Sequence, residues 1–279
     1  MTEATQEVST FEGLGVAADL VAALAEGGIT APFPIQTLTI PDGLAGRDVC
    51  GQAQTGSGKT IAFGIPLIER TVDARPSAPT ALVLVPTREL CLQVAGEIGR
   101  LAEARGRKLA AVYGGAPMQA QINKVAKAEI VVATPGRLID MADRRHLSLA
   151  DVKTVVIDEA DQMADMGFLP QVHAVMRLVG GGHQTMLFSA TLDGAVASLI
   201  RSYMDDPIRF EADAGDEVAD HQEHRFLQIH YMDKARVVAA IANGVSRVLV
   251  FVGTKRNADR VCEDLLKEGV DAAAIHGDR

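Results

Sequence analysis

The chain has 279 residues, of which 48% are hydrophobic and 23% charged, and its net charge is −9. These values exclude a disordered or collagen-like chain and a surface that is basic throughout. No run approaches the ~20 uninterrupted apolar residues of a membrane-spanning helix. The cysteines, Cys50, Cys91 and Cys262, are too scattered for a disulfide framework or a zinc knuckle. "MTEATQEVST" has neither the basic start nor the apolar run of a signal peptide, so a cytoplasmic setting is expected.

The first motif along the chain is "GITAPFPIQ" (28–36), which reads as a Pro-rich entry into a helix. A strand is expected at 47–51. It is followed by "AQTGSGKT" (53–60), which opens a helix. A glycine-rich loop between strand and helix wraps phosphates with its backbone N–H groups, and the helix N-terminus adds positive potential. Ala53 stands where the strict pattern has its first glycine. Gln54, Thr55, Gly56, Ser57 and Gly58 complete the loop, Lys59 is placed to reach the β/γ-phosphates, and the Thr60 hydroxyl is placed to meet Mg²⁺.

Five further strands are expected at 80–85, 109–113, 129–133, 152–157 and 184–188, with helical stretches between them. Strands alternating with helices give a parallel α/β sheet covered on both faces. Ligands of such sheets bind beyond the carboxyl ends of the strands, and each of these strands ends in a polar motif. "PTREL" (86–90) follows the second, "GG" (114–115) the third, "TPGR" (134–137) the fourth, "DEAD" (158–161) the fifth and "SAT" (189–191) the sixth.

Asp158, Glu159 and Asp161 crowd at the end of one buried strand, where like charges raise one another's pKa. The positive charge that answers them is Lys59 together with Mg²⁺. A strand-end Asp158 suits the metal, and Glu159 beside it can take a proton from an attacking water. Thr87 and Thr134 can cap the helices that follow them, Arg88 and Arg137 add charge-assisted bonds, and Gly114 and Gly115 permit close backbone approach. Contacts of this kind read phosphate and sugar rather than base identity. Ser189 and Thr191 are placed to hydrogen-bond near Asp158 and Asp161.

The stretch 211–224 carries six acidic residues and no Lys or Arg, and reads as a linker. A second unit then restarts the pattern, with strands at 225–233, 247–254 and 270–279 and helices at 234–243 and 255–269.

Taken together, the ordered motifs resemble those of a DEAD-box ATP-dependent RNA helicase of bacterial type, over residues 11 to about 278. The resemblance implies a RecA-like ATP-binding domain over 1–210 with a Q motif at 9–37, the acidic linker 211–224, and an incomplete second RecA-like domain over 225–279. It implies ATP and Mg²⁺ as ligands, with Asp158 and Thr60 on the metal, and Glu159, Asp158 and Lys59 in catalysis. Residues 53–60 would hold the nucleotide along with Phe11, Ile29 and Gln36, the Gln36 amide meeting the adenine edge. Ile29 stands where the family often has an aromatic residue. Pro86, Thr87, Arg88, Gly114, Gly115, Thr134, Pro135, Gly136 and Arg137 correspond to the family's RNA-contacting segments, and Asp161, Ser189 and Thr191 to its coupling residues. RNA, bound without sequence preference, is the implied partner. "VFVGT" (250–254) and "HGD" (276–278) resemble the opening motifs of the family's second domain. Two arginines that the family supplies to the ATP phosphates have no counterpart before Arg279, which implies weak turnover by this chain and leaves an ATP- and RNA-binding module as the alternative. A DNA-directed helicase on the same fold is disfavoured by the Q motif and "DEAD".

Overall fold

The computed structural model describes residues 9–212, 223 and 225–276, and the chain divides into two compact units, Met1–His221 and Gln222–Arg279. In the first unit α1 (Ala18–Glu26) and α2 (Pro34–Leu44) precede β1 (Val49–Gln52). There follow α3 (Lys59–Arg70), β2 (Ala81–Leu84), α4 (Arg88–Ala104), β3 (Leu109–Val112), α5 (Met118–Val125), β4 (Ile130–Ala133) and α6 (Pro135–Asp143). The unit closes with β5 (Thr154–Asp158), α7 (Ala160–Asp165), α8 (Leu169–Met176), β6 (Gln184–Ser189), α9 (Gly194–Tyr203) and β7 (Ile208–Glu211).

The seven strands form one parallel sheet in the order β3-β4-β2-β5-β6-β1-β7. Every residue of β2, β4, β5 and β6 is buried, as expected of strands covered on both faces. Successive side chains of a strand point to opposite faces, and this alternation sorts the core into two layers. Val83, Ile130, Val132, Val156 and Met186 lie in one, with Ile35, Phe63, Ile65 and Ile98. Leu82, Leu84, Val131, Val155, Ile157 and Leu187 lie in the other, with Leu138, Met141 and Val172. Cys50 and Cys91 are buried, and burial pushes each thiol up to about 11, so both act as small apolar residues.

The six expected strands are all present, and β7 is one that the sequence reading did not identify. Its burial alternates between half-buried and exposed, so it lacks the continuous apolar run that marked the others. It ends at Glu211, one residue inside the stretch expected to be linker. Residues 213–222 and 224 of that stretch lie outside the described residues.

The parallel order puts every strand's carboxyl end on one edge. From β3 to β7 that edge presents "GG", "TPGR", "PTREL", "DEAD", "SAT" and then the phosphate-type loop. The two ends of this series, β3 and β1, are five strand spacings apart, roughly 24 Å.

The second unit contains a 3₁₀ turn (Tyr231–Asp233), α10 (Lys234–Ala242) and α11 (Lys255–Lys267). Thr254 caps α11 by accepting the Asn257 N–H at 3.2 Å. The strands expected at 225–233, 247–254 and 270–279 are not formed among its described residues. A strand exists only where its N–H and C=O groups bond a neighbouring strand, and no ladder forms here. Phe251 is 87% exposed and Ile275 85% exposed. Gly277 and Asp278 of "HGD" lie outside the described residues.

Candidate functional site

Two glycines in the left-handed region shape the loop after β1. Gly56 and Gly58 both have φ of 88°. Gly58 is also the residue before α3, so the turn and the helix start share one position. A Cβ at Gly58 would lie 2.5 Å from the Gln36 amide and 2.6 Å from the Phe33 ring, so only glycine fits. The Ala53 N–H donates to the Ser189 carbonyl at 3.0 Å, which ties the start of the loop to β6. The Ser57 hydroxyl donates to the Gln54 carbonyl at 2.7 Å. The first-turn N–H groups of α3 project toward this loop end, the arrangement that attracts phosphate.

Lys59 does not project into solvent. It is 5% exposed, and Nζ donates to the Ala53 carbonyl and to Glu159 Oε1, both at 3.0 Å. The Thr55 hydroxyl donates to the same carboxylate oxygen at 3.1 Å. The loop after β1 is thereby joined to the end of β5 across β6.

Asp158 is the last residue of β5 and is buried. Burial, reinforced by the Glu159 charge and opposed by Lys59, raises its pKa to about 7. Its Oδ1 accepts the Glu159 N–H at 3.0 Å. Glu159 has φ of 50°, an uncommon conformation for a residue other than glycine, and it is the N-cap residue just before α7. This turn sends the Glu159 side chain back toward Lys59 while α7 leads away. Asp161, on α7, faces β6. Its N–H donates to the Ser189 hydroxyl, and its Oδ2 accepts the N–H groups of Ala190 and Thr191, all at 3.2 Å. Ser189 thus uses its hydroxyl, as anticipated, whereas Thr191 is exposed and contributes its backbone.

Among the described residues no cluster of three or more His, Cys, Asp or Glu is ready to hold a metal. Asp158 and the Thr60 hydroxyl offer oxygen donors alone. That set fits a hard cation that keeps most of its waters and shares a phosphate, as Mg²⁺ does. The raised pKa of Asp158 comes first from its burial, with the neighbouring Glu159 charge adding to it.

The Q-motif residues are placed differently from the simplest expectation. Gln36 is 1% exposed, with both ends of its amide engaged inside the protein. Oε1 accepts the Phe33 N–H and Nε2 donates to the Gly58 carbonyl, each at 2.9 Å. The amide therefore joins α2 to the loop before it meets any ligand, and keeps one hydrogen and one lone pair in reserve. Phe11 is buried in the hydrophobic core that also holds Val49 of β1 and Ile61 of α3, and Ile29 is half-buried against that core. The sequence reading missed Phe33. Its ring packs on Gly58 yet is 56% exposed. An aromatic residue three positions before Gln36 was the available signal.

The other motifs occupy the far part of the edge. The Thr87 hydroxyl caps α4 by accepting the Leu90 N–H at 3.1 Å. Thr134 stands at the N-cap of α6, but its side chain makes no capping bond, contrary to expectation. Pro135 fills the first helical position, where the missing N–H costs nothing. Pro86 and Pro135 are buried, while Gly114, Gly115 and Gly136 are exposed. Arg88 is exposed and lies over the Tyr113 ring, 5.2 Å from its centroid. Arg137 donates to the Ala116 carbonyl at 3.0 Å. Tyr113 is a second residue that the sequence reading passed over.

Residues 33–199 match the family model described as DEAD/DEAH box helicase. The chain is 38% identical over 272 residues to a DEAD-box ATP-dependent RNA helicase CshA of Bacillus licheniformis, covering 96% of this chain and 56% of that protein. It is also 38% identical, over 271 residues, to the CshA of Streptococcus pneumoniae, covering 96% of this chain and 52% of the relative. The chain thus spans about half the length of the curated relatives it matches. Its fold is similar to the crystal structure of a DEAD box protein from the hyperthermophile Methanococcus jannaschii, with a TM-score of 0.70, 34% identity, and coverage of 97% of this chain and 73% of that one.

Proposed function

The chain belongs to the DEAD/DEAH box helicase family, and from that premise we propose that it serves an ATP-dependent RNA helicase in which ATP binding and hydrolysis drive local separation of short RNA duplexes. The observation that carries this reading is the order of groups along one sheet edge. The loop after β1 and the carboxylates of β5 are joined through Lys59 and Glu159 at 3.0 Å. Basic and glycine-bearing turns fill the other half of the edge, on β2, β4 and β3. A phosphate site and a second anionic surface share one rigid frame.

The chemistry follows from charge. Residues 53–58 and the first turn of α3 supply N–H groups to the phosphates, and Lys59 turns from Glu159 to the β/γ-phosphates. Glu159, released from its lysine, becomes free to accept a proton from water. Until nucleotide enters, its charge is spent on Lys59, which keeps the base idle. Asp158 and Thr60 would hold Mg²⁺, which supplies charge neutralisation at the transferred phosphate. Gln36 selects adenine with its remaining donor and acceptor while gripping Gly58. Phe11 supports this from the core, and Ile29 from the core edge.

RNA is the partner proposed for the other half. Thr87, Arg88, Gly114, Gly115, Thr134, Gly136 and Arg137 meet phosphate and sugar, with Pro86 and Pro135 shaping their turns. Such contacts are sequence-blind, and they let a chain of net charge −9 bind RNA through a few local groups. Asp161, Ser189 and Thr191, midway along the edge, couple the two halves. Cytoplasmic residence accords with an RNA substrate, and no helix among the described residues is long and apolar enough to cross a membrane.

The test is steady-state hydrolysis of Mg-ATP with and without single-stranded RNA. RNA-dependent acceleration is expected. Mg-ATP and RNA binding with no turnover in either condition would reduce the reading to a binding module. Equal stimulation by matched DNA would remove RNA as the partner.

A further inference from the structure

Gln121 is a buried polar residue on α5, 5% exposed, outside every motif assigned above. Its amide makes two bonds to one residue. Oε1 accepts the Tyr113 N–H at 3.2 Å, and Nε2 donates to the Tyr113 carbonyl at 3.0 Å. Tyr113 is the first residue after β3, and β3 is an edge strand. The side-chain amide therefore acts as one rung of a missing neighbour strand, at the position where the backbone leaves the sheet. Gly114 and Gly115 come next, and Gly115 has φ of 78°.

Two other side chains converge on the same four residues. Arg88, from the segment after β2, lies over the Tyr113 ring at 5.2 Å. Arg137, from the segment after β4, bonds the Ala116 carbonyl at 3.0 Å. Residues 113–116 are thus the junction of all three turns to which RNA contact was given, and Gln121 holds the backbone at their start. A buried amide with both ends satisfied has few alternative orientations. Fixing the Tyr113 peptide groups also fixes where its ring stands beneath Arg88 and where the Gly114–Gly115 N–H groups point.

We propose that Gln121 is a positioning residue for RNA binding: its two bonds to Tyr113 set the Gly114–Gly115 turn and the aromatic shelf that carries Arg88. The inference rests on the reading of this edge as an RNA surface.

The experiment compares the full chain with Gln121→Met, Gln121→Glu, Arg88→Ala and the Gln121→Met/Arg88→Ala double variant. Three quantities are measured: anisotropy of a labelled single-stranded oligouridylate, affinity for a fluorescent ATP analogue, and thermal unfolding. Gln121→Met keeps the shape and loses both bonds. Its RNA affinity should fall about fivefold or more, with nucleotide affinity unchanged. Its effect should be smaller when Arg88 is already alanine, because the two act through one contact. In Gln121→Glu a protonated carboxyl can restore both bonds, so RNA affinity relative to the unsubstituted chain should recover as the pH is lowered. RNA affinity unchanged in Gln121→Met, with Arg88→Ala clearly weakened, would overturn the inference and leave the RNA reading intact. No effect of Arg88→Ala would overturn the RNA reading itself. Equal losses of RNA and nucleotide affinity in Gln121→Met would show a general structural role and also overturn the inference.

Discussion

Lys59 Nζ stands 3.0 Å from Glu159 Oε1, with the lysine 5% and the glutamate 12% exposed at their side chains. The pair spans two strand positions of the sheet and is the direct electrostatic link between the loop after β1 and the turn after β5. Breaking it from either side has different consequences. Glu159→Gln keeps the shape, frees Lys59 from an opposite charge and cannot take a proton. The variant should bind Mg-ATP as tightly as the parent or several-fold more tightly, while turnover falls by about 10²–10⁴. Equilibrium binding and single-turnover hydrolysis on the same preparation check both halves.

Asp158 gives a pH signature. Its carboxyl titrates near 7 in the folded chain, against the ordinary value of 3.8. The folded state therefore binds more protons between those two values, and this group's contribution to stability declines as pH rises through that window. Above it, the buried charge beside Glu159 is fully present. Asp158→Asn removes that charge. In the ligand-free protein the variant should gain most in melting temperature near pH 8, less near pH 5.5, which lies inside that window, and little well below 3.8, where the parent's carboxyl is protonated in the folded and unfolded states alike. The same substitution should weaken Mg-ATP binding. A gain independent of pH would contradict the assignment of cause.

Gln36 and Gly58 are joined by a 2.9 Å bond and should fail together. Gln36→Ala leaves the Phe33 N–H and the Gly58 carbonyl unpaired, costing about 1–3 kcal/mol and about tenfold or more in ATP affinity. Gly58→Ala combines φ of 88° with a contact of 2.5 Å and should lose nucleotide binding more completely. Both should retain the sheet. Circular dichroism and titration with an ATP analogue separate loss of the site from loss of the fold.

Arg88 and Arg137 differ in how they are held, one over an aromatic ring and one on a carbonyl. Arg88→Ala and Arg137→Ala should each reduce RNA affinity similarly across unrelated sequences, and each should flatten the dependence of log K on log salt by about one unit. Binding measured at several salt concentrations on two unrelated RNAs provides the check. A loss confined to one RNA would indicate base readout.

The first unit was legible in the sequence because its strands are continuous apolar runs, such as "ALVL" and "IVVA", each followed by a polar motif. β7, "IRFE", escaped because an edge strand is half-exposed and has no such run. Charge alone set Lys59 and Mg²⁺ opposite the carboxylates of 158–161, but the pairing of Lys59 with Glu159 in particular is a finding of the structure. The double engagement of Gln36 is not legible in the sequence either, because it depends on a carbonyl 22 residues along the chain that the fold brings to 2.9 Å. Gln121 was invisible for the same reason: a lone Gln on a helix face carries no pattern until its partner is known. The strands expected in the second unit have the right composition, but composition cannot supply the neighbour that a strand needs.

The order of the strands also dictates when the phosphate loop can exist. β1 pairs with β6 and β7, so the strand partners of Val49 are Met186 and Ile208, both far along the chain. β2, β4 and β5 pair among themselves much earlier. During synthesis the glycine-rich loop leaves the ribosome among the first motifs, yet its supporting strand remains without a neighbour until well over a hundred further residues have followed. Contacts of such long sequence separation are slow to close, and a solitary apolar strand is a hazard meanwhile. Nucleotide capture is therefore an attribute of the finished first unit, gained late, and a bound ATP would report that the whole sheet has been assembled.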